Sequence, residues 1–69
     1  MIMLKDGVQV NALYLGDLPI KGIVHGWRVC YGGQVVYTIK TTKEFSFAGD
    51  VKPVGSLREV NYEDVQEDK

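Results

Sequence analysis

Sixty-nine residues make one domain, and a chain of this size buries only about 60% of its unfolded surface. Cys30 is the single cysteine and His25 the single histidine, which excludes an internal disulfide and a one-chain Cys/His zinc site and leaves compactness or a partner chain to supply stability. The net charge of −1 is unevenly spread: seven Lys/Arg against five acids give residues 1–62 a charge of +2, while four acids and one lysine give Glu63–Lys69 a charge of −3, a balance without the clustered cations of a strong nucleic-acid binder.

Met1–Leu4 is apolar and reads as a short first strand or an arm, but Lys5-Asp6-Gly7 ends it after one short run, so neither a signal peptide nor a membrane span is expected. A lone cysteine fits a reducing cytoplasm. Helical periodicity is nearly absent, and eight glycines separate short runs rich in Val, Thr and aromatics, as in an all-β chain with frequent turns. Val8–Leu15 reads as a strand with Val8, Val10, Ala12 and Tyr14 on one face and Leu13 and Leu15 on the other. Gly16-Asp17-Leu18-Pro19 is a loop. Ile20–Tyr31 is a long strand interrupted by Gly22 and Gly26, the way a small barrel lets one strand serve two sheets.

Tyr31-Gly32-Gly33 turns that strand into Gln34–Thr41. A two-residue Gly-Gly loop would set Arg28 opposite Tyr37. A three-residue loop with Gly33 in the left-handed region sets Val29 opposite Val35, Trp27 opposite Tyr37 and His25 opposite Ile39. The second register gathers the apolar groups on one face, and burial should select it. It completes an inner face of Trp27, Val29, Val35 and Tyr37, and leaves Val24, Arg28, Val36 and Lys40 on the outer face. Glu44–Ala48 is a further strand with Phe45 and Phe47 inward. Gly49-Asp50 breaks the pattern, Pro53–Leu57 fits a single 3-10 turn, and Arg58–Tyr62 is the last strand, with Val60 and Tyr62 inward. The expected domain is 1–62, and 63–69 is an acidic, solvated tail.

Four or five short antiparallel strands, a long bent second strand and a 3-10 turn before the last strand outline an all-β, SH3-like barrel. Gly22–Val60 also resembles the plasmid-borne type II dihydrofolate reductases, a small SH3-like family. That family opens its second strand with Gly-x-Ile-Val-Gly-Trp, and Gly22-Ile23-Val24-His25-Gly26-Trp27 is similar with one residue shifted. It ends on Tyr-Pro-Val-Ala-Ala-Leu-Glu-Arg-Ile, and Lys52-Pro53-Val54-Gly55-Ser56-Leu57-Arg58-Glu59-Val60 is similar. The resemblance implies the fold and self-association. It does not carry the reductase activity, because the family's pore-lining Val-Gln-Ile-Tyr run falls on Gly49, Asp50, Val51 and Lys52, which removes the glutamine and tyrosine that hold nicotinamide and folate.

No constellation in the chain carries chemistry as a set. His25 has no Ser, Cys or Asp near it to form a pair or triad. Cys30 in an alternating strand is a small hydrophobe, with only Arg28 nearby to lower its pKa. Trp27, Tyr31 and Tyr14 are the aromatics left for a rim site once Tyr37, Phe45 and Phe47 are assigned to the core. Lys21, Arg28, Lys40 and Lys43 could meet phosphates, though the acidic tail opposes them. Apolar residues on both faces, namely Val24 and Val36 outside the hairpin and Leu13 and Leu15 on the first long strand, point to an interface. The sequence therefore predicts a non-enzymatic binding module or small accessory protein, and its small size without a recognisable site suits a phage or mobile-element gene. Such a module would use no cofactor and act through association with itself or a larger partner at Leu13, Leu15, Val24, Trp27, Arg28, Tyr31, Val36 and Lys40. An oligomeric reductase-like enzyme and an RNA- or DNA-binding barrel are the alternatives.

Overall fold

Alternation of apolar and polar residues with a period of two builds strands, and a computed structural model of the chain, which describes residues 3–68, contains almost nothing else. The strands are β1 (Gln9–Tyr14), β2 (Leu18–Val29), β3 (Val35–Thr41), β4 (Phe45–Phe47), β5 (Asp50–Lys52), β6 (Leu57–Asn61) and β7 (Val65–Glu67), with a 3-10 helix, Tyr62–Asp64, before the last of them. Five strands form one antiparallel sheet in the order β6-β3-β2-β1-β7, and β4 pairs with β5 in a second small sheet. The large sheet coils so that β1 and β6 meet across the core. No hydrogen-bonded ladder joins its two edges into a closed barrel among the described residues. No helix among them is long and apolar enough to cross a membrane.

The inward positions form one core: Val10 and Ala12 from β1, Ile20 and Val24 from β2, Tyr37 and Ile39 from β3, Phe45 from β4 and Val60 from β6. The faces expected of β1, β3 and β6 are the faces observed. Gly22 sits where β3 passes closest, since a Cβ there would collide with the Lys40 carbonyl oxygen and the Ile39 Cγ2 methyl. Tyr37 is buried, stacks on Tyr62, and accepts a hydrogen bond at its hydroxyl from the Leu4 N–H at 2.9 Å. Arg58 points inward from β6 and lays its guanidinium on the rings of Tyr14 and Phe45, 5.9 and 5.6 Å from their centroids.

Thr41, at the end of β3, is the buried polar residue of the core. Its N–H donates to the Ser56 carbonyl (2.9 Å) and its carbonyl accepts from the Gly55 N–H (2.8 Å). Its Oγ1 accepts from the Ser56 N–H (3.1 Å) and donates to the Pro53 carbonyl (3.4 Å). These bonds satisfy a buried hydroxyl that would otherwise cost about 1–3 kcal/mol.

Four local expectations change. The loop expected at Gly16-Asp17-Leu18-Pro19 is shorter, since Leu18 and Pro19 already lie opposite Tyr14 and Leu13 at the start of β2. The 53–57 segment is a turn held by Thr41, and the 3-10 helix lies later, at Tyr62–Asp64. Beyond Phe47 the chain does not break off but reverses through Ala48 and Gly49, both at positive φ (54° and 82°), so that Asp50–Lys52 pairs back as β5. This is the two-residue turn geometry suited to strand twist, and an alanine gives no hint of it. The acidic segment from Glu63 is not a separate solvated tail: Val65–Glu67 adds as β7 to the free edge of β1, with Ala12 opposite Val65, and the Asp68 N–H bonds the Gln9 carbonyl at 2.9 Å. The physical reason is that β7 pairs the second edge of β1, whose Val10 and Ala12 are buried, and that Val65 supplies an apolar side chain packed against the core. The first two residues of the strand or arm expected at Met1–Leu4, and the tail residue Lys69, lie outside the described residues.

Candidate functional site

The turn at Tyr31-Gly32-Gly33 forms as the sequence predicts. The Cys30 N–H donates to the Gln34 carbonyl (2.6 Å), the Gly33 N–H donates to the Cys30 carbonyl (3.0 Å), and Gly33 has φ 83°. Trp27 lies opposite Tyr37 and Val29 opposite Val35. The register then shifts, and Val24 rather than His25 faces Ile39. His25 and Gly26 together span the space opposite Thr38, with Gly26 at φ 121°. One extra residue in one strand is a β-bulge, and it reverses which side chains point inward. Val24 is therefore a core residue, 1% exposed, and not part of an outer face. Ile23 takes the outer position, opposite Lys40.

Beyond the bulge the hairpin overhangs the core. β1 follows β2 only as far as Ile23; beyond it the Val24 N–H donates to the Val8 carbonyl and the Val24 carbonyl accepts from the Gly7 N–H. There the N-terminal segment turns away, the Val8 N–H bonding the Lys5 carbonyl. The inner face expected to be closed is open on its β2 side, where Trp27 is 49% and Val29 58% exposed and Tyr31 at the turn is fully exposed, while Tyr37 on β3 stays buried. The backbone is open along the same edge. In an antiparallel ladder successive residues turn their N–H and C=O groups to alternate sides. Cys30 bonds across to Gln34, so Arg28 also faces β3, while Trp27 and Val29 direct their N–H and C=O groups away from it, to a side where no strand pairs among the described residues.

The outer face of the same hairpin is less available than its sequence suggests. Arg28 is held by a bidentate ion pair to Glu59 on β6, with Nη2 2.8 Å from Oε1. The hydrogen bond lowers the Glu59 carboxyl below its ordinary pKa and raises that of Arg28. Val36 sits between its cross-strand neighbours Arg28 and Asn61 and is buried. Gln34 Nε2 donates to Asn61 Oδ1 at 2.7 Å. Lys40, between Ile23 and Leu57, stays exposed and makes no ion pair among the described residues.

Leu13 and Leu15 belong to a separate region. Leu13 lines a groove of about 460 Å³ on the β1–β2 side, with Pro19 and Phe45 beside it, Lys21 and Lys43 on its rim, and Glu63 among the facing acids. Leu15 is exposed in the β1–β2 turn at φ 57°, a backbone conformation that disfavours a leucine. His25 is exposed at the bulge and Cys30 half-buried beside the turn. Gly49 to Lys52, on which the resemblance would set the reductase pore run, form the end of the β4–β5 turn and β5, where Lys52 Nζ lies 4.0 Å from Asp50 Oδ2. No group of three or more His, Cys, Asp or Glu is placed to hold a metal ion among the described residues.

Of the expected interface residues, the structure brings Trp27 and Tyr31 to the overhanging hairpin, with Arg28 on the reverse side of the same strand. It withdraws Val24 and Val36 into packed positions and leaves Lys40, Leu13 and Leu15 elsewhere on the surface. Val29 is the residue the sequence reading missed: alternation placed it inward, and nothing in the sequence says that the inward side there is uncovered. No protein-family model, curated protein or solved structure matches this chain.

Proposed function

We propose that this chain is a non-enzymatic binding module of the SH3-like kind, working by protein–protein association through the overhanging half of the β2–β3 hairpin. The observation that carries the reading is the coincidence of exposed apolar side chains, Trp27 and Val29, with a stretch of strand edge that is unpaired among the described residues. Large exposed apolar groups gathered on one side mark interaction surfaces, and an open strand edge is a template for another chain. The fold assignment is supported by the antiparallel run β1-β2-β3-β6, the 3-10 helix, and the return of β7 to β1. The bulge in the long second strand fits the same reading.

The test is affinity capture from the native host with the wild-type chain and the Trp27→Lys/Val29→Lys variant, each checked for an unchanged far-ultraviolet circular dichroism spectrum. Loss of the bound proteins in the folded double variant is expected. An identical set of bound proteins would refute the assignment of this surface.

A further inference from the structure

We infer that the overhanging edge of β2 pairs with the same edge of a second copy of this chain, antiparallel and about a two-fold axis at Arg28. The inference rests on the interaction surface proposed above and names its occupant. The outward N–H and C=O groups of Trp27 and Val29 call for an extended backbone, since an unpaired backbone group is costly once covered. With the axis at Arg28, Trp27 of one copy lies opposite the partner's Val29, and the reverse pair follows by symmetry. Each pair exchanges two hydrogen bonds, so all four outward groups of each copy are satisfied. The side chains match as well: an aromatic residue stands beside a β-branched one, a favoured cross-strand pair, and both are exposed in the single chain. The same register carries the fully exposed Tyr31 toward the partner's His25–Gly26 bulge, where the backbone of Gly26 has nothing within 4 Å of its Cβ direction.

Charge is the test of self-pairing, because a two-fold axis sets Arg28 against its own copy, and like charges directly opposite repel. Each Arg28 is already drawn toward β6 and matched by Glu59. The junction thus meets two neutral ion pairs rather than two free cations. Of the usual guards against edge pairing, His25–Cys30 holds no lysine and no proline; its bulge lies at one end of the paired stretch, and its one charged side chain, Arg28, is matched by Glu59. Trp27 and Tyr31 together offer on the order of 300 Å² of surface per copy, less than the roughly 800 Å² per partner of a standard interface. The association is accordingly weak and reversible.

The experiment is sedimentation velocity on the purified full chain from about micromolar to about millimolar concentration, the range in which an interface below standard size dissociates. The mass is expected to rise from 7.7 kDa toward that of a dimer. Trp27→Lys and Val29→Lys should remain monomeric. A synthetic chain N-methylated at Val29 keeps the side chain and removes one outward donor, and should dimerise at least tenfold more weakly. Glu59→Gln should also weaken dimerisation, with recovery at high salt as the bare arginines are screened. A wild-type chain that stays monomeric throughout overturns the second-copy inference. The capture result with Trp27→Lys/Val29→Lys then decides separately whether the surface takes a different protein. A dimer that persists unchanged in the lysine and N-methyl variants overturns the pairing geometry, and if the captured proteins are unchanged too, the surface assignment falls with it.

Discussion

The two halves of β2 carry similar chemistry in opposite environments. Before the bulge, Val24 is buried beneath neighbours on both edges, with β1 on one side and β3 on the other. Five residues later, Val29 points to the same inner side, but among the described residues only β3 flanks it, and it is more than half exposed. Residue type, strand and face are shared, so what differs is whether a second neighbour covers the position. Burial in a sheet this small follows from which edges are paired, and alternation tells only which way a side chain points. The half with one neighbour is the half free to take another.

Substitutions can break or sharpen that contrast. The largest effect is expected in the fully paired half at Gly22, where alanine would press against the backbone of β3 and should cost about 3 kcal/mol in urea denaturation. Replacing the same residue type on either side of the bulge is the direct comparison. Val24→Ala should cost about 2 kcal/mol from lost burial and the cavity left behind, whereas Val29→Ala should stay within about 0.5 kcal/mol; equal losses at the two sites would mean that the overhang is covered in the free chain. Tyr37 lies opposite Trp27 yet is buried, because the segment at Leu4 reaches its hydroxyl. Tyr37→Phe should cost about 1 kcal/mol, and amide exchange at Leu4 should accelerate.

The smallest effect is at Glu59. Its folded-state pKa is lowered by the hydrogen bond from Arg28, so its contribution is present above the ordinary glutamate pKa and is lost as the pH falls through the lowered value. Thermal unfolding of the wild type should exceed that of Glu59→Gln slightly at pH 7, and the difference should vanish in acid. The pair is exposed, and exposed pairs contribute little. A difference that grows on acidification would place the interaction elsewhere.

Much of the fold is legible in the residues. Val10 and Ala12, Tyr37 and Ile39, and Val60 recur every second position because each strand has one buried face, and Gly33 supplies the positive φ that fixes the turn. The bulge is harder to read. Gly26 in a strand announces an irregularity, but not that one residue is added, and that single residue moved Val24 from the outer face to the core. β5 and β7 are three residues each, too short for a period to show, and Val65 is one apolar residue among acids. On the surface, Trp27, Tyr31, Leu13 and Leu15 are exposed. Val36 is not, because Glu59, nearly two dozen positions away in sequence, draws Arg28 along the face that Val36 shares.

The bonds around Thr41 have an engineering consequence. The chain leaves the sheet at Thr41 and is fastened to that same residue again at Pro53, Gly55 and Ser56. Everything between forms an arm with both roots tied at one point, and only Phe45 of that arm is buried in the core. Doubling the length of such a loop costs only about 0.6 kcal/mol in closure entropy. The Ala48–Gly49 tip is therefore a natural grafting point, where a reporter peptide or an added epitope could be displayed without disturbing the strands that hold β2 in place.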